Sequence, residues 1–282
     1  MRLINKCLFP VAGYGTRFLP ITKSIPKEML PILTKPLIQY GVEEAIAAGI
    51  NNMAIVTGRG KRAIEDHFDN AIELESQLIG TSKEHYLKGI QAIISNSTFT
   101  YVRQNKMLGL GDAILSGRPL IGNEPFGVIL ADDLCDSTNN GVIADMIKIY
   151  NKFKCCIVAV EEIPISQTYK YGIISGQKID SFSGYELLEV NDMVEKPNIS
   201  NAPSNLAIIG RYILTPEVFE ILDSIKQDKR GELQITDALK LCALNKKVIA
   251  YKYNGIRFDC GGIEGYLEAT NYFAKKIKDL NI

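Results

Sequence analysis

The chain has no tryptophan, only two histidines and no excess of either sign of charge across its 282 residues. Each shortage removes a class of function. His67 and His85 stand apart in polar, helix-like stretches. A histidine-based triad or a multi-histidine metal centre therefore lacks material, and solvated helix residues are their expected identity. The 32 basic side chains balance 32 acidic ones, and no Arg/Lys-rich stripe with interleaved aromatics occurs. That argues against nucleic-acid binding, which needs a basic field along the phosphate backbone. Six cysteines, at 7, 135, 155, 156, 242 and 260, form no C-x-x-C pair. Reduced thiols in a cytoplasmic protein fit them better than a disulfide framework or a zinc site. No stretch reaches the about 18 apolar residues of a membrane span. The apolar run near the N-terminus is broken by Pro10 and Gly13, too early for the core of a secretory signal. Any metal should be hard and held by oxygen.

What is present is concentrated in residues 10–31. An apolar run over 7–11 reads as a buried strand and ends in Gly13-Tyr14-Gly15-Thr16-Arg17. Two glycines allow a sharp turn that brings backbone N–H groups to a ligand, and Arg17 and Lys27 bring two cations to the same neighbourhood. Backbone donors plus cations at a strand end suit a polyphosphate. Two common alternatives fail on spelling. A dinucleotide fingerprint needs a third glycine where Phe18 stands, and no Gly-Lys-Ser/Thr string supplies a Walker loop.

Strand and helix signals alternate through the first half: helix over 36–48, strand over 53–57, helices over 62–68 and 71–87, strand over 98–102, helix over 113–120, strand over 126–130, helix over 142–153 and strand over 155–160. Such alternation implies βαβ units, hence an α/β fold with a Rossmann-like, mostly parallel sheet flanked by helices. Later, 171–175, 185–194 and 206–214 read as strands without helices between them, which a smaller antiparallel β patch beside the main sheet would explain. Helices over 216–226 and 236–244, a strand over 248–253 and an amphipathic helix over 262–278 complete the chain. That last helix carries Ile263, Tyr266, Leu267, Ala269, Tyr272, Phe273 and Ile277, which suit either core or interface. Open parallel sheets bind ligands at the carboxyl ends of their strands. The Gly13 loop, residues 104–111 and Asp132-Asp133 should therefore converge.

Several further residues carry chemistry. Gln104, at a strand end, can both donate and accept, which suits a pyrimidine edge. Gly109-Leu110-Gly111 beside it lets a flat base or ribose lie against backbone, although a surface amide next to a plain glycine turn fits too. Asp132 and Asp133 follow a buried strand and suit Mg²⁺, or a helix cap or solvated turn. Asp259, in Arg257-Phe258-Asp259-Cys260-Gly261-Gly262, is a second candidate acid. Glu195 and Lys196 end another strand before Pro197. If both face one cleft wall, Glu195 can accept sugar hydroxyls while Lys196 meets a phosphate; otherwise they form an exposed ion pair. Successive strand residues point to opposite faces, so the shared wall requires the strand to end or twist there.

Taken in order, these motifs resemble the sugar-1-phosphate nucleotidylyltransferases, over roughly residues 6 to 272. Val11-Ala12-Gly13-Tyr14-Gly15-Thr16-Arg17 with Pro26-Lys27-Glu28-Met29-Leu30-Pro31 is similar to the family's uridylyl-transferring branch; the sister branch using dTTP opens with Leu-Ala-Gly-Gly. The resemblance implies a single domain over 1–282, its nucleotide-binding part about 1–135 and its sugar-phosphate-binding part about 136–282, with the antiparallel patch on the sugar side of the cleft. It implies transfer of a uridylyl group from UTP to α-D-glucose 1-phosphate by direct in-line attack assisted by Mg²⁺. UDP-glucose, for glycan synthesis, and pyrophosphate are the products, and a homodimer or homotetramer is the expected assembly. Carried over residue by residue, it makes Arg17, Lys27 and Lys196 catalytic. Ala12, Gly13, Gly15, Thr16, Gln104, Gly109 and Gly111 would bind nucleotide, and Tyr171, Gly172, Glu195, Lys196 and Gly210 the sugar phosphate. The metal would fall to Asp132, rather than Asp133, together with Asp259. Asp112 stands where some relatives place histidine, and it receives no role.

Overall fold

The computed structural model describes residues 4–136, 141–180, 182–245 and 247–279, with side chains as far as 276. Thirteen strands lie among them: β1 (Lys6–Pro10), β2 (Pro31–Ile32), β3 (Lys35–Pro36), β4 (Asn52–Thr57), β5 (Thr98–Arg103), β6 (Phe126–Ile129), β7 (Asp133–Asp136), β8 (Cys156–Glu162), β9 (Gly172–Lys178), β10 (Leu187–Glu195), β11 (Leu206–Leu214), β12 (Val248–Lys252) and β13 (Ile256–Asp259). Nine of them form one sheet in the order β5-β4-β1-β6-β11-β8-β12-β10-β9.

The expected mostly parallel sheet with a separate antiparallel patch is corrected by this topology. Parallel ladders join β5 to β4, β4 to β1, β1 to β6 and β8 to β12. Strand β11 instead runs antiparallel to β6, β8 and β9, and β10 antiparallel to β12 and β9. One mixed sheet thus carries both halves of the chain. The cause lies in β11: residues 207–214 are all buried, which drives the strand to the middle of the sheet. It follows β10 after a loop that holds only a 3-10 turn, Ile199–Asn201, and it runs in the same direction as β10, since both are antiparallel to β9.

Apolar layers cover both faces. Ile38, Val42, Met146 and Ile149 pack on one side, and Phe126, Phe219, Leu239 and Ala113 on the other. Helix Leu37–Ala47 and helix Val142–Phe153 form where periodicity placed them. The single helix expected over 71–87 is two, Ile72–Leu78 and His85–Asn96, because Gly80 adopts φ +76° between them. His67 is half-buried rather than solvated, 3.0 Å from the Gln39 side-chain oxygen, whereas His85 is exposed.

A smaller third cluster, with Leu30, Leu37, Leu134, Phe258 and Ala269, seats the last helix, Ile263–Asp279, on an antiparallel β7–β13 pair. Tyr266, Tyr272 and Phe273 pack there, Ile263 and Leu267 stay 63% and 58% exposed, and the Ile277 side chain lies outside the described residues. The register of that pair sets Asp133 opposite Asp259 and so brings two distant acidic motifs together.

Candidate active site

Strand β1 hands over to a loop in which Gly15 is left-handed, with φ +66°. The Gly15 carbonyl accepts from the Phe18 N–H at 3.0 Å and from Thr22 Oγ1 at 2.8 Å. A Cβ at Gly15 would stand 3.0 Å from the Cβ of Lys27, so the missing side chain is what lets this loop lie on Lys27. Lys27 opens a 3-10 turn whose next residue, Glu28, is buried in an ion pair with Lys61 at 2.7 Å. Burial pushes the Glu28 carboxyl up and the Lys61 amine down, so each needs the other's charge.

The Lys27 ammonium reaches Asp132 Oδ2 at 2.5 Å. Burial works against both charges, yet Lys27 holds the Asp132 carboxyl below its ordinary value, and Asp132 holds the Lys27 amine above its own. Asp259 lies alongside. Its Oδ2 accepts from the Tyr171 hydroxyl at 2.8 Å, its Oδ1 from the Gly261 N–H at 3.1 Å, and Arg17 donates to the Gly261 carbonyl at 3.0 Å. A Cβ built on Gly261 would sit 2.8 Å from Asp132 Oδ2, 3.0 Å from Asp259 Oδ1 and 3.1 Å from an Arg17 terminal nitrogen. Two carboxylates and a guanidinium thus converge on one point, held open by a residue without a side chain.

Asp133 does a different job. It is buried, accepts from Arg257 Nε at 2.6 Å and receives the Gly210 N–H at 2.9 Å. Arg257 in turn reaches Glu161 at 2.5 Å and lies 4.8 Å from the centre of the Tyr171 ring. This is a strut under the site. Gly210 belongs to it, since a Cβ there would meet Asp133 Oδ2 at 2.6 Å.

Across the cleft, β10 ends at Glu195, and Lys196 turns into the left-handed region at φ +45°. That twist answers the requirement of the Glu195-Lys196 pair: it lets both side chains line one wall, with Lys196 Nζ 3.4 Å from Glu195 Oε1. Glu195 Oε2 accepts from Thr236 Oγ1 at 3.1 Å, and a Cβ at Gly172 would strike Thr236 Cγ2 at 2.7 Å.

A cavity of about 340 Å³ joins these groups, with Arg17, Gly109, Asp132, Tyr171, Gly172, Glu195, Lys196, Gly210 and Asp259 in its wall. Lys27 joins it through Asp132. The other expected residues are not in this wall. Gly13 and Thr16 are exposed on the loop with Gly15 beside them, and Ala12 is buried against Gly58. Gln104 and Gly111 are buried, and the Gln104 side chain donates to the Gly109 carbonyl. Sequence reasoning assigned no role to Lys170, Thr236 or Arg257, which also line the cavity. Arg257 had a signal, because it stands two positions before Asp259 on one strand and so shares its face. Lys170 directly precedes Tyr171, while Thr236 had no local signal.

The donors fit a hard cation: two carboxylates face one point, and among the described residues no group of three or more His, Cys, Asp or Glu could hold a metal by itself. Mg²⁺ commonly takes one or two carboxylates and completes its shell with water and substrate phosphates.

The chain belongs to the nucleotidyl transferase family, whose sequence model matches residues 10–276. It is 60% identical over 271 residues to a UTP–glucose-1-phosphate uridylyltransferase of Pseudomonas aeruginosa, covering 96% of each chain. A crystal structure of UDP-glucose pyrophosphorylase complexed with UDP-glucose superimposes with a TM-score of 0.89 at 56% identity, over 97% of this chain and 100% of that one. A UTP-bound enzyme of the same kind from Acinetobacter baumannii gives 0.87 at 37% identity, over 96% and 93%. The motif resemblance is borne out along nearly the whole chain.

Proposed function

We propose that this chain transfers a uridylyl group from UTP to α-D-glucose 1-phosphate, giving UDP-glucose and pyrophosphate. The observation that carries the reading is the convergence of Asp132, Asp259 and Arg17 on one point beside the Glu195-Lys196 wall. It stands in a chain 60% identical to a uridylyltransferase.

A phosphate oxygen of the sugar phosphate attacks the α-phosphorus of UTP in line, and pyrophosphate leaves on the opposite side. A phosphate dianion is already ionised at neutral pH, so no protein nucleophile is required. The obstacle is bringing two polyanions together, and the side chains answer it by position and charge. Arg17 steadies the departing pyrophosphate, Lys27 the charge at the α-phosphate, and Lys196 the incoming phosphate. The loop of Ala12, Gly13, Gly15 and Thr16 offers backbone to the nucleotide, and Gln104, Gly109 and Gly111 receive the base. Tyr171, Gly172, Glu195 and Gly210 shape the sugar side. Asp132 and Asp259 would hold Mg²⁺, which supplies neutralisation of phosphate charge when bound. Lys27 and Asp132 form an ion pair at the same place.

Six free thiols suit a cytoplasmic setting, and exposed Ile263 and Leu267 offer apolar surface to a homodimer or homotetramer. The test is pyrophosphate release by the full chain with Mg²⁺ and glucose 1-phosphate, supplied with UTP or dTTP. UTP should be used several-fold faster. No pyrophosphate, or equal use of dTTP, overturns the reading.

A further inference from the structure

Gln104 follows β5, and its backbone N–H continues the ladder by donating to Thr57 O at 2.9 Å. Its side chain is buried, and the amide nitrogen Nε2 donates to Asp112 Oδ2 at 2.6 Å and to Gly109 O at 3.3 Å. Both partners offer acceptor oxygens, one of a carboxylate and one of a peptide carbonyl. The reverse orientation of the amide would press Oε1 against another acceptor, so the chemistry of the partners settles which end faces them. Both amide protons are engaged, and among the described residues none donates to Oε1.

Asp112 cannot easily withdraw. It sits in the first turn of helix Leu110–Ser116, where the Gly111 N–H donates to Leu233 O at 2.8 Å. Cβ atoms at Gly109 and Gly111 would stand 2.9 and 2.6 Å from that same Leu233 oxygen, so the loop is zipped to its neighbour with no slack.

We infer that Asp112 is a specificity-determining positioning residue: it clamps the Gln104 amide so that this side chain can offer a base edge only an acceptor. The inference rests on the uridylyl-transfer reading, in which Gln104 meets the base. Uracil presents a donor at N3, whereas cytosine presents an acceptor there. An unclamped glutamine could turn its NH₂ toward cytosine; the clamped one leaves cytosine with two facing acceptors, a mismatch that discriminates strongly in a closed site.

The test compares Asp112→Asn, Asp112→Glu, Gln104→Ala and the double variant Asp112→Asn/Gln104→Ala. The readouts are the kcat/KM ratio for UTP over CTP and the affinity ratio of UDP over CDP by calorimetry. Asparagine can turn either end toward Gln104 and releases the clamp, so Asp112→Asn should narrow both ratios by about tenfold, the effect of one hydrogen bond. Asp112→Glu keeps an acceptor and should retain most of the discrimination. The double variant should lose no more than Gln104→Ala alone. Unchanged ratios in Asp112→Asn, losses that add to those of Gln104→Ala, or equal damage to both nucleotides would overturn the clamp. If the wild-type chain releases no pyrophosphate from UTP, the proposed reaction falls instead, and the UDP-to-CDP ratio of Asp112→Asn against wild type still decides the clamp.

Discussion

Replacing Gly261 by alanine adds one methyl group where two carboxylates and a guanidinium meet. Gly261 is not among the residues with positive φ, so an alanine backbone fits without strain. The methyl carbon would stand 2.8 Å from Asp132 Oδ2 and 3.0 Å from Asp259 Oδ1, where ordinary contact begins at 3.4 Å. The two carboxylates must therefore retreat by roughly half an ångström. Both are ends of side chains, so the fold can absorb the change at about 0.5–1.5 kcal/mol of off-rotamer cost. Catalysis has less tolerance. A misplacement of about 1 Å in a positioned group costs on the order of 10²-fold, so a displacement half as large should lower kcat by about ten- to a hundredfold. It should also raise the Mg²⁺ concentration needed for half-maximal rate.

Gly262→Ala is the matched control, because a Cβ there meets nothing within 4 Å. The assay is pyrophosphate release across a Mg²⁺ titration, with thermal melts of both variants alongside. Gly261→Ala should melt close to wild type and turn over slowly; Gly262→Ala should match wild type in both. A Gly261→Ala enzyme with wild-type kcat and Mg²⁺ midpoint would refute the assignment of this cradle, as would equal damage from Gly262→Ala.

Lys27→Ala removes a preorganised charge and should lower kcat by about 10²–10³. Lys196→Ala should act mainly on KM for glucose 1-phosphate, and steady-state kinetics showing the same pattern in both variants would reject the division of roles. Asp132→Asn should keep the fold and lose most activity, recovering only partly at high Mg²⁺. Asp133→Asn should lower the melting temperature while leaving the Mg²⁺ dependence as it was, because Asp133 supports Arg257 and Gly210; the opposite pattern would exchange the two aspartates' roles. Glu44→Ala strands the fully buried Arg211 guanidinium, which bonds Glu44 at 2.9 and 3.0 Å, and should cost about 3–5 kcal/mol in urea unfolding. A loss below about 1 kcal/mol would show that Arg211 finds another partner.

What could be read before folding depended on how far a contact reaches along the chain. The Gly15 turn, Arg17 and Lys27 lie within one short segment, and glycine spelling with nearby cations is enough to mark them. Leu130 ends an apolar run, so an acidic site just beyond it was legible as well. Choosing between Asp132 and Asp133 was a different matter, since adjacent residues have nearly the same local chemistry. On the residues alone it stayed open, and only the resemblance preferred Asp132. The β7–β13 register separates them physically, by turning Asp133 down onto Arg257 and leaving Asp132 beside Lys27 and the Gly261 cradle.

The same limit explains the sheet. An apolar run such as 206–214 states that a strand is buried but not which way it points; its direction is fixed by the antiparallel ladders it makes with β6, β8 and β9, partners distant in the chain. The Glu195-Lys196 pair shows the converse case. Its requirement for a twist was legible from strand alternation, and the positive φ of Lys196 is the form that twist takes. Arg257, Thr236 and the Gln104–Asp112 clamp needed the fold, because each acts through a partner on another element or across a turn whose closure no periodicity records. Residues that touch substrate can be marked by local pattern. Those that hold them in place are set by strand pairing and loop closure: here the β7–β13 register decides which aspartate faces Arg257, and the 109–112 loop decides which end of the Gln104 amide is bound.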